Sequence, residues 1–331
     1  MCWRPSNCRT FEMARVLILG GAGYIGLAVA QALIRSGNYT VFATSRSDTK
    51  TKLLASNEVK PLIGELSDIT FVKAIIAENR IDVVIDLSQA YSDATTILEV
   101  VTGAAQDRAS RLATENSIGP KLGFVYCSGS WVHGSPRDQR ISDTSVPSTF
   151  LAVDKPATAV AWRPAHEQAV LKSRGILDVA IVRPGAVYGR CSWVMTAWWG
   201  KVLDAAKSGD ENTIEISAYQ ETRTGVVCVD DLADGFVRVV DRLPTFGSWP
   251  VFDFVSETIP ISTMMEEVKR VIGAKGALSY VGCDGNPFFE ALALVCNATA
   301  GRARAELGWI PKRTEFVRDL PQLVAAWEAS Q

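Results

Sequence analysis

The sequence lacks the features that mark several classes of protein. No apolar run approaches the ~20 residues that a membrane-spanning helix needs. Lys and Arg total 34 against 36 for Asp and Glu, so there is no electrostatic reason to expect nucleic acid or an anionic membrane as a partner. Residues 1–13 lack the apolar core of a signal peptide. We therefore expect a cytoplasmic protein that binds neither nucleic acid nor membrane.

Paired cysteines are also missing. The 7 cysteines form no Cys-x-x-Cys motif and no spacing typical of metal ligands, and their odd number argues against a framework of disulfides. Several lie in apolar segments, where cysteine usually serves as a small buried hydrophobic residue. This pattern fits a reducing compartment and predicts no metal site.

What the sequence does contain is a glycine-rich segment, VLILGGAGYIG at 16–26, around which the rest is organised. It predicts a short buried strand, a tight turn and a helix, the context that a dinucleotide-binding fingerprint requires. Gly20 allows the sharp turn, Gly23 lets a pyrophosphate approach the backbone, and Gly26 lets the helix pack against the strand. The phosphates would bind the free N–H groups at the helix N-terminus. The alternative is a tight turn that binds no ligand.

The second predicted strand, 40–44, bears on which cofactor is bound. In NAD-selective fingerprints an acidic residue at the end of this strand binds the ribose hydroxyls. Here Ser45 takes that place and Arg46 follows. Arg46 can hold a 2′-phosphate through its forked donors. We therefore predict that NADP(H) is preferred and that NAD(H) is possible, the alternative being a solvated arginine.

Strands and helices alternate as far as Arg183. Asp48 and Asp68 are expected to be helix N-caps, and Glu65 to reach an adenine amino group. Such alternation implies βαβ crossovers and a doubly wound parallel sheet of α/β class. The further strands are predicted at 59–63, 81–87, 124–128 and 179–182, and the further helices at 49–56, about 93–113 and within 157–173.

The alternation breaks at Arg190, where a tryptophan-rich stretch begins. Trp193, Trp198 and Trp199 are expected either to form a flat apolar wall for a substrate or to pack between the two lobes. The predicted organisation is an N-terminal tail at 1–13, a dinucleotide-binding domain at 14–189 and 224–256, and a smaller substrate-binding lobe at 190–223 and 257–331.

An ordered series of segments resembles the extended short-chain dehydrogenases, the NAD-dependent epimerase/dehydratase group. The segments are GGAGYIG (20–26), GELSD (64–68), FVYCSGSWVHG (124–134), VRPGAVYG (182–189), VDDLADG (229–235) and ELGWIPK (306–312). The resemblance implies a Rossmann fold with a smaller C-terminal substrate lobe, a small-molecule substrate and, as a possible assembly, a homodimer. The residues assigned to cofactor binding are Gly20, Gly23, Tyr24, Ile25, Gly26, Ser45, Arg46, Glu65, Leu66, Arg163 and Pro184.

The resemblance also implies catalytic residues that this chain lacks. The family uses a Ser or Thr hydroxyl together with Tyr-x-x-x-Lys, in which the ammonium group lowers the pKa of the tyrosine for proton transfer. None of the 7 tyrosines has a lysine four residues later. Alignment through Glu167 puts Ala159 at the tyrosine and Arg163 at the lysine. Alignment through 132–134 puts Gly129 at the hydroxyl donor.

Few residues are candidates to replace this set. Ser128 and Ser130 flank Gly129, and His133 has a pKa range suited to acid–base work. Tyr188 is placed by the resemblance near the nicotinamide side, although core packing is the alternative. Arg163 can bind ribose hydroxyls but is a poor proton shuttle. The catalytic candidates are Ser128, Ser130, His133, Tyr188 and Arg163, and His166 is expected to be a surface or packing residue.

Three functions of different classes follow. The first is an NAD(P)(H)-dependent oxidoreductase that acts on a small, apolar or conjugated molecule. The second is a non-redox isomerase, cyclase or dehydratase, and the third is a catalytically silent NADP(H) sensor. The intact glycine turn favours the first and third, whereas the missing dyad favours the second and third. Pro164 predicts that the first half of the 157–173 helix is kinked or lost.

Overall fold

A computed structural model of the chain describes residues 13–88 and 93–331. Its centre is a seven-stranded sheet in the order β11-β7-β5-β4-β1-β2-β3, in which every neighbouring pair is parallel. These strands are β1 (Ala14–Leu19), β2 (Tyr39–Ser45), β3 (Lys60–Ile63), β4 (Val83–Asp86), β5 (Gly123–Cys127), β7 (Asp178–Pro184) and β11 (Val251–Phe254).

Helices cover both faces of this sheet. One buried core joins the strands to α1 (Tyr24–Ser36), α7 (Val229–Arg242) and α10 (Gly301–Leu307). The other joins them to α3 (Ile69–Glu78), α4 (Ala94–Thr114) and α5 (Arg163–Lys172). Both faces are covered because the strands are apolar on both sides, as in the fully buried stretch Val16 to Leu19. The predicted doubly wound α/β fold is confirmed.

A smaller layer lies beyond the carboxyl ends of the central strands. Three short strands pair in the order β12-β10-β8, at Glu257–Pro260, Arg223–Cys228 and Ala186–Tyr188. They share a core with residues of α6 (Trp193–Ser208), α8 (Ile261–Ile272) and α11 (Phe316–Glu328). The remaining elements are α2 (Asp48–Ser56), α9 (Pro287–Leu292), β6 (Ile141–Ser142), β9 (Ile214–Ile216), β13 (Leu278–Tyr280) and β14 (Ala298–Thr299).

The boundaries of the two lobes do not follow the chain simply. Helix α10, in the stretch predicted to be part of the substrate lobe, packs in the core of the central sheet together with Trp309. The strands β8 and β10, predicted to be in the dinucleotide domain, contribute Tyr188 and Val226 to the core of the smaller lobe. The predicted division into domains therefore stays a prediction.

Local chemistry explains where several helices begin. The carboxylate of Asp68 accepts a hydrogen bond from the Phe71 N–H (3.0 Å), which confirms that residue as an N-cap. Asp48, in contrast, is the first residue of α2 rather than its cap, because the Ser47 hydroxyl accepts the Lys50 N–H (3.4 Å). Helix α5 begins only at Arg163, and Pro164 lies in its first turn. The first half of the predicted helix is thus lost, and residues 158–160 form a single 3₁₀ turn.

Within residues 13–88 and 93–331, no helix combines the length and the apolar character that crossing a bilayer requires.

Candidate functional site

A cleft of about 530 Å³ runs along the carboxyl ends of the parallel strands. This edge is where open parallel sheets bind ligands, since the strand order reverses there and leaves a crevice between the loops. All the residues predicted to bind a cofactor line this cleft: Gly20, Gly23, Tyr24, Ile25, Gly26, Ser45, Arg46, Glu65, Leu66, Arg163 and Pro184. The structure thus brings them together, and their binding role stays a prediction.

The glycine turn has no room for side chains at two of its positions. Gly20 has a φ of +79°, and a Cβ there would lie 2.8 Å from the Leu87 carbonyl oxygen. A Cβ on Gly26 would lie 2.3 Å from the Gly20 carbonyl oxygen. The third glycine, Gly23, is the N-cap of α1 and supplies no side chain to cap its N–H groups. The turn therefore presents bare backbone to the cleft at the positive end of a helix dipole.

Tyr24 fixes the start of α1 against the chain that leads into the smaller lobe. Its hydroxyl donates to the Gly189 carbonyl oxygen (2.6 Å). Burial raises the pKa of Tyr24 well above its usual value, so the phenol stays protonated and keeps this bond at neutral pH. Tyr24 therefore has a structural role beside its place in the fingerprint.

At the far end of the cleft, β2 ends with the buried Ser45, and the exposed Arg46 follows it. The Ser45 hydroxyl donates to the Ser47 carbonyl oxygen (3.1 Å) and accepts from the Thr51 hydroxyl (3.2 Å). The Arg46 side chain is 68% exposed, and its Nη1 lies 3.8 Å from the Glu65 carboxylate. An exposed pair at this distance is worth little, so the Arg46 guanidinium is available to an anion.

Ser128 stands at the opposite end, immediately after β5. Its N–H donates to the Val182 carbonyl oxygen (2.8 Å), which extends the sheet pairing by one residue. Its hydroxyl is buried and makes no hydrogen bond to any of the described residues. An unsatisfied buried hydroxyl costs about 1–3 kcal/mol. Ser128 is one of the residues that line the cleft.

Beside Ser128, a side chain at residue 129 would occupy the same volume as the Arg163 guanidinium. Gly129 has an extended φ of 175°, which any residue can adopt. A Cβ built on it, however, would lie 2.8 Å from Nη1 of Arg163. Arg163 is 7% exposed at the first position of α5. The guanidinium therefore fills the space that a side chain at 129 would need, at the position where the resemblance places a hydroxyl donor.

The charge of Arg163 acts on this wall of the cleft. Burial raises the pKa of the Cys127 thiol to about 12, and the nearby Arg163 guanidinium opposes that rise. The same guanidinium opposes the burial-driven increase in the pKa of Tyr126. A permanent positive charge thus lies at the end of β5.

The phenol–ammonium pair is missing from the cleft as the structure describes it. Tyr24 and Lys50 are the tyrosine and the lysine among its described lining residues. Tyr24 begins α1, where its hydroxyl donates to the Gly189 carbonyl oxygen, and Lys50 lies in α2. Ala159, aligned with the tyrosine, lies in the 3₁₀ turn and packs against a small buried cluster that Trp131 also contacts.

Two of the catalytic candidates lie away from the cleft. His133 is buried, and its Nε2 lies 2.7 Å from the Asp253 carboxylate of β11. The Tyr188 hydroxyl donates to the Arg313 carbonyl oxygen (3.1 Å), and its ring packs edge-on against Phe316. Neither lines the cleft, because both side chains are held in packed contacts behind the strand ends. Ser130 does line it, with its side chain beside the Cys296 thiol.

His133 is part of a buried charged cluster, which we define as His133, Asp143, Glu167, Arg183 and Asp253. Arg183 donates to both carboxylate oxygens of Glu167 (3.0 and 2.6 Å). Its Nη1 lies 3.9 Å from Asp253. The Asp143 carboxylate accepts the Asp253 N–H (3.4 Å). The cluster links α5, β7 and β11 directly beneath the wall that carries Arg163.

The other histidine, His166, is also buried. Its ring packs edge-on against Tyr126 with centroids 4.6 Å apart. Burial lowers its pKa, so the imidazole is neutral at physiological pH. This agrees with a packing role.

Aromatic side chains border the end of the cleft next to Ser128. Of the two alternatives given for Trp193, Trp198 and Trp199, a wall for a substrate or packing between the lobes, different members follow different ones. Trp198 and Trp199 are buried in the smaller lobe, where Trp199 packs edge-on against Trp327. Trp193 is 43% exposed and lines the cleft. It stacks on Phe288 at 6.0 Å, and Phe288 in turn lies 6.2 Å from Trp131, which also lines the cleft.

Sequence reasoning missed Trp131 and Phe288. Trp131 lies within the family-like segment 124–134, immediately before the Val-His-Gly used for alignment, so its position was a usable signal. Phe288 comes from α9, more than a hundred residues away along the chain, and no local pattern connects the two.

Within residues 13–88 and 93–331 no cluster of three or more His, Cys, Asp or Glu side chains is arranged to hold a metal ion.

The family model for NAD dependent epimerases and dehydratases matches residues 16–249. This match covers the central sheet except the first two residues of β1 and the whole of β11. It includes the glycine turn of the cleft and the segment that carries Ser128 and Arg163.

One curated relative and two solved structures match the chain over nearly its full length. A UDP-glucose 4-epimerase of Lactobacillus helveticus is 23% identical, with 95% of this chain and 96% of the relative covered. Among solved structures, UDP-glucuronic acid 4-epimerase from Bacillus cereus, in complex with UDP-glucuronic acid and NAD, superposes with a TM-score of 0.70 at 15% identity, covering 96% of this chain and 100% of the other. UDP-glucose 4-epimerase from Bifidobacterium longum, with NAD+ and UDP, gives 0.67 at 18% identity, covering 96% and 99%.

Proposed function

Because the chain belongs to the NAD dependent epimerase/dehydratase family, we propose that it is an NAD(P)(H)-dependent oxidoreductase that reduces the activated C=C bond of a flat, conjugated carbonyl compound. One observation carries this proposal. The cleft keeps the backbone cradle for a dinucleotide, yet its described lining holds no tyrosine–lysine pair to move a proton at a substrate oxygen.

The residues present fit a dinucleotide. Gly20 and Gly26 have no space for a Cβ, and the N-terminus of α1 carries no side-chain cap. The pyrophosphate would bind there with Gly23, Tyr24 and Ile25. Glu65 and Leu66 would contact the adenine, and Arg163 and Pro184 would lie at the nicotinamide end.

NADP(H) is the preferred form in this proposal. Ser45 stands where an acid would repel a 2′-phosphate, and Arg46 is exposed beside it. A guanidinium presents paired donors to a phosphate. The solved relatives named above contain NAD, so the preference rests on this chain's own Ser45 and Arg46.

The missing dyad limits the chemistry that the site can perform well. When bound, a reduced nicotinamide supplies a hydride to carbon. Reducing a simple ketone leaves negative charge on oxygen that needs a positioned proton donor, typically worth about 10²–10⁴-fold in rate. In a conjugated carbonyl compound the new C–H bond forms at the β-carbon, the electron pair of the C=C bond moves towards the carbonyl oxygen, and water protonates the α-carbon. A fixed positive charge is sufficient for that reaction.

The lining of the cleft beside Ser128 suits a flat acceptor. Trp131 and Trp193 present aromatic surface there, and Phe288 holds both in place through ring contacts. Aromatic faces bind planar apolar molecules by stacking and by burial of apolar area. The curated relative acts on a UDP-sugar by its name, but a sugar ring is neither planar nor apolar.

The test compares acceptors of matched shape. Consumption of NADPH is followed with trans-cinnamaldehyde and with 3-phenylpropanal, which has the same skeleton without the C=C bond. UDP-glucose is incubated separately with NAD+, and formation of its 4-epimer, which consumes no NADPH, is followed by chromatography. We expect turnover of cinnamaldehyde alone. With deuterium in the transferable position of the nicotinamide, the product is expected to carry the label at its β-carbon.

Other outcomes would reject the proposal. Turnover of 3-phenylpropanal at a similar rate, or label at the carbonyl carbon, would show ordinary carbonyl reduction. Conversion of UDP-glucose would show epimerase chemistry. Tight binding of NADPH with no consumption by any acceptor would favour the silent sensor or a non-redox enzyme.

A further inference from the structure

We propose that Arg163 and Ser128 together form the subsite for the carbonyl oxygen of the substrate, and that Arg163 acts there from the volume that a side chain at residue 129 would otherwise occupy. This inference deepens the function proposed above and rests on it. It assigns catalytic roles to an arginine and a serine at positions where the family pattern places other residues or none.

A side chain at residue 129 and the side chain of Arg163 exclude each other sterically. The Arg163 Nη1 lies 2.8 Å from the position of a Cβ on Gly129, and the next atom met there, the Pro184 carbonyl oxygen, is 3.9 Å away. The Gly129 backbone is extended and tolerates any residue. Glycine at 129 and a long cationic side chain at 163 therefore depend on each other, because a side chain at 129 would occupy the same volume as the guanidinium.

The Ser128 hydroxyl is buried and is not satisfied by any described residue. Ser128, Gly129 and Arg163 line one wall of the cleft. A carbonyl oxygen placed at this wall would accept from the hydroxyl, and it would take a charge-assisted hydrogen bond from the guanidinium.

An arginine stays charged at every relevant pH and transfers no proton. What it supplies is a fixed charge on the oxygen where negative charge develops, the type of electrostatic stabilisation that oxyanion sites provide. Conjugate reduction needs that stabilisation and no proton at the oxygen, whereas ketone reduction needs both. Arg163 and Ser128 would therefore provide the stabilisation that conjugate reduction needs.

The anchoring of α5 supports the same role. Glu167, one turn after Arg163 on this helix, is bound through both carboxylate oxygens by the fully buried Arg183. This pair fixes the first turn of α5 against β7. A rigid helix start is what a positioned charge requires.

The experiment measures polarisation of a carbonyl group without turnover. The probe is 4-(dimethylamino)cinnamaldehyde, whose absorption moves to longer wavelength when a positive charge approaches its oxygen. It is added to the protein in the presence of NADP+, so that no reductant is present. We expect a shift to longer wavelength in the wild-type protein.

The informative variant is Gly129→Ala, which keeps Arg163 but puts a methyl group where its guanidinium lies. The clash is with the end of a flexible side chain, so the fold is expected to persist. The shift should be lost, and the Kd for the probe should rise by about ten- to hundredfold. Arg163→Gln should do the same. Gly103→Ala is the matched control, since nothing lies within 4 Å of its Cβ position and it is far from the cleft along α4.

An unchanged shift in both Gly129→Ala and Arg163→Gln would overturn this inference, and so would a wild-type protein that gives no shift. The proposed function fails separately. A probe shift that depends on residues 129 and 163, in a protein that reduces no conjugated acceptor, would leave the subsite standing without the reaction. Reduction of cinnamaldehyde at the wild-type rate by Gly129→Ala would leave the reaction without the subsite.

Discussion

Single side chains decide which cofactor and which reaction the cleft favours. Arg46 sets the cofactor preference in the proposal, since its guanidinium is exposed and pairs only loosely with Glu65 at 3.8 Å. A phosphate would displace that carboxylate at little cost, because exposed ion pairs contribute little.

Replacing Arg46 by alanine should therefore weaken NADPH binding by roughly tenfold to a hundredfold and leave NADH binding nearly unchanged. Titration of both dinucleotides by tryptophan fluorescence measures this. Arg35→Ala removes the same charge from the exposed end of α1 and serves as the control. Equal affinities for the two dinucleotides in the wild-type protein would contradict the preference.

The residues that the sequence predicted well are those whose role depends on local backbone. The positive φ of Gly20 and the crowding at Gly26 follow from a strand–turn–helix segment only eleven residues long, so the local pattern suffices. His133 and Tyr188 are different, because their partners Asp253 and Arg313 lie far away in sequence. No property of residues 124–134 or 182–189 distinguishes a side chain in a cleft from one in a core.

Among the elements, α5 shows how a helix start positions chemistry. The predicted helix was expected to span part of 157–173 with a disturbed first half, and it begins at Arg163. Proline lacks the N–H of a helix interior but fits the first turn, so Pro164 sets the start of the helix. Arg163 consequently lies at the very beginning of α5 rather than in its middle.

Glu167→Gln tests what holds this helix. The change leaves the fully buried Arg183 guanidinium with an amide in place of a carboxylate, and breaking a buried pair typically destabilises by about 3–5 kcal/mol. Urea unfolding measures the loss. The control is Glu211→Gln, which removes an exposed partner of Lys275 and should change stability little.

A loss of stability from Glu167→Gln no larger than that of the control would mean that the Glu167–Arg183 pair does not secure α5.

The aromatic residues at the cleft come from separate helices. Trp193 and Phe288 come from α6 and α9, whereas the sequence left two alternatives for three tryptophans of one helix, a wall for a substrate or packing between the lobes. Only one face of a helix can border a cleft, and Trp198 and Trp199 lie on the face that packs in the core.

For the whole molecule, the buried charged cluster links stability to pH. Burial, followed by the nearby Asp253 carboxylate, raises the pKa of Asp143 from 3.8 to about 6. The folded protein therefore holds this proton more tightly than the unfolded chain does. The contribution of Asp143 to stability is complete below about pH 4 and is lost as the pH rises to about 6.

Asp143→Asn should accordingly gain stability relative to the wild-type protein as the pH rises from about 4 to 7, by up to about 2–3 kcal/mol. Melting temperatures across this range give the difference. Asp204→Asn, at an exposed site on α6, shows the effect of removing one carboxylate elsewhere. A difference between Asp143→Asn and wild type that stays flat or falls with pH would contradict the assignment.

For the whole molecule the sequence predicted the doubly wound fold, and the division into lobes stays a prediction. Alternating strands and helices determine a doubly wound sheet because right-handed crossovers leave few other topologies. The lobe boundaries depend on which core each short strand or helix finally joins, as with α10 and Trp309 in the central core. That choice is made by contacts between distant segments, which the order of elements does not contain.

The contact between Gly129 and Arg163 also constrains how this chain can change over generations. The Arg163 guanidinium lies 2.8 Å from the Cβ position of residue 129, so a serine introduced there would clash with it before the new hydroxyl could bind a substrate. A lysine introduced at 163 would leave a hole beside a glycine. Each single change towards the family pattern is thus expected to be worse than both together, so substitutions at 129 and 163 should be strongly non-additive.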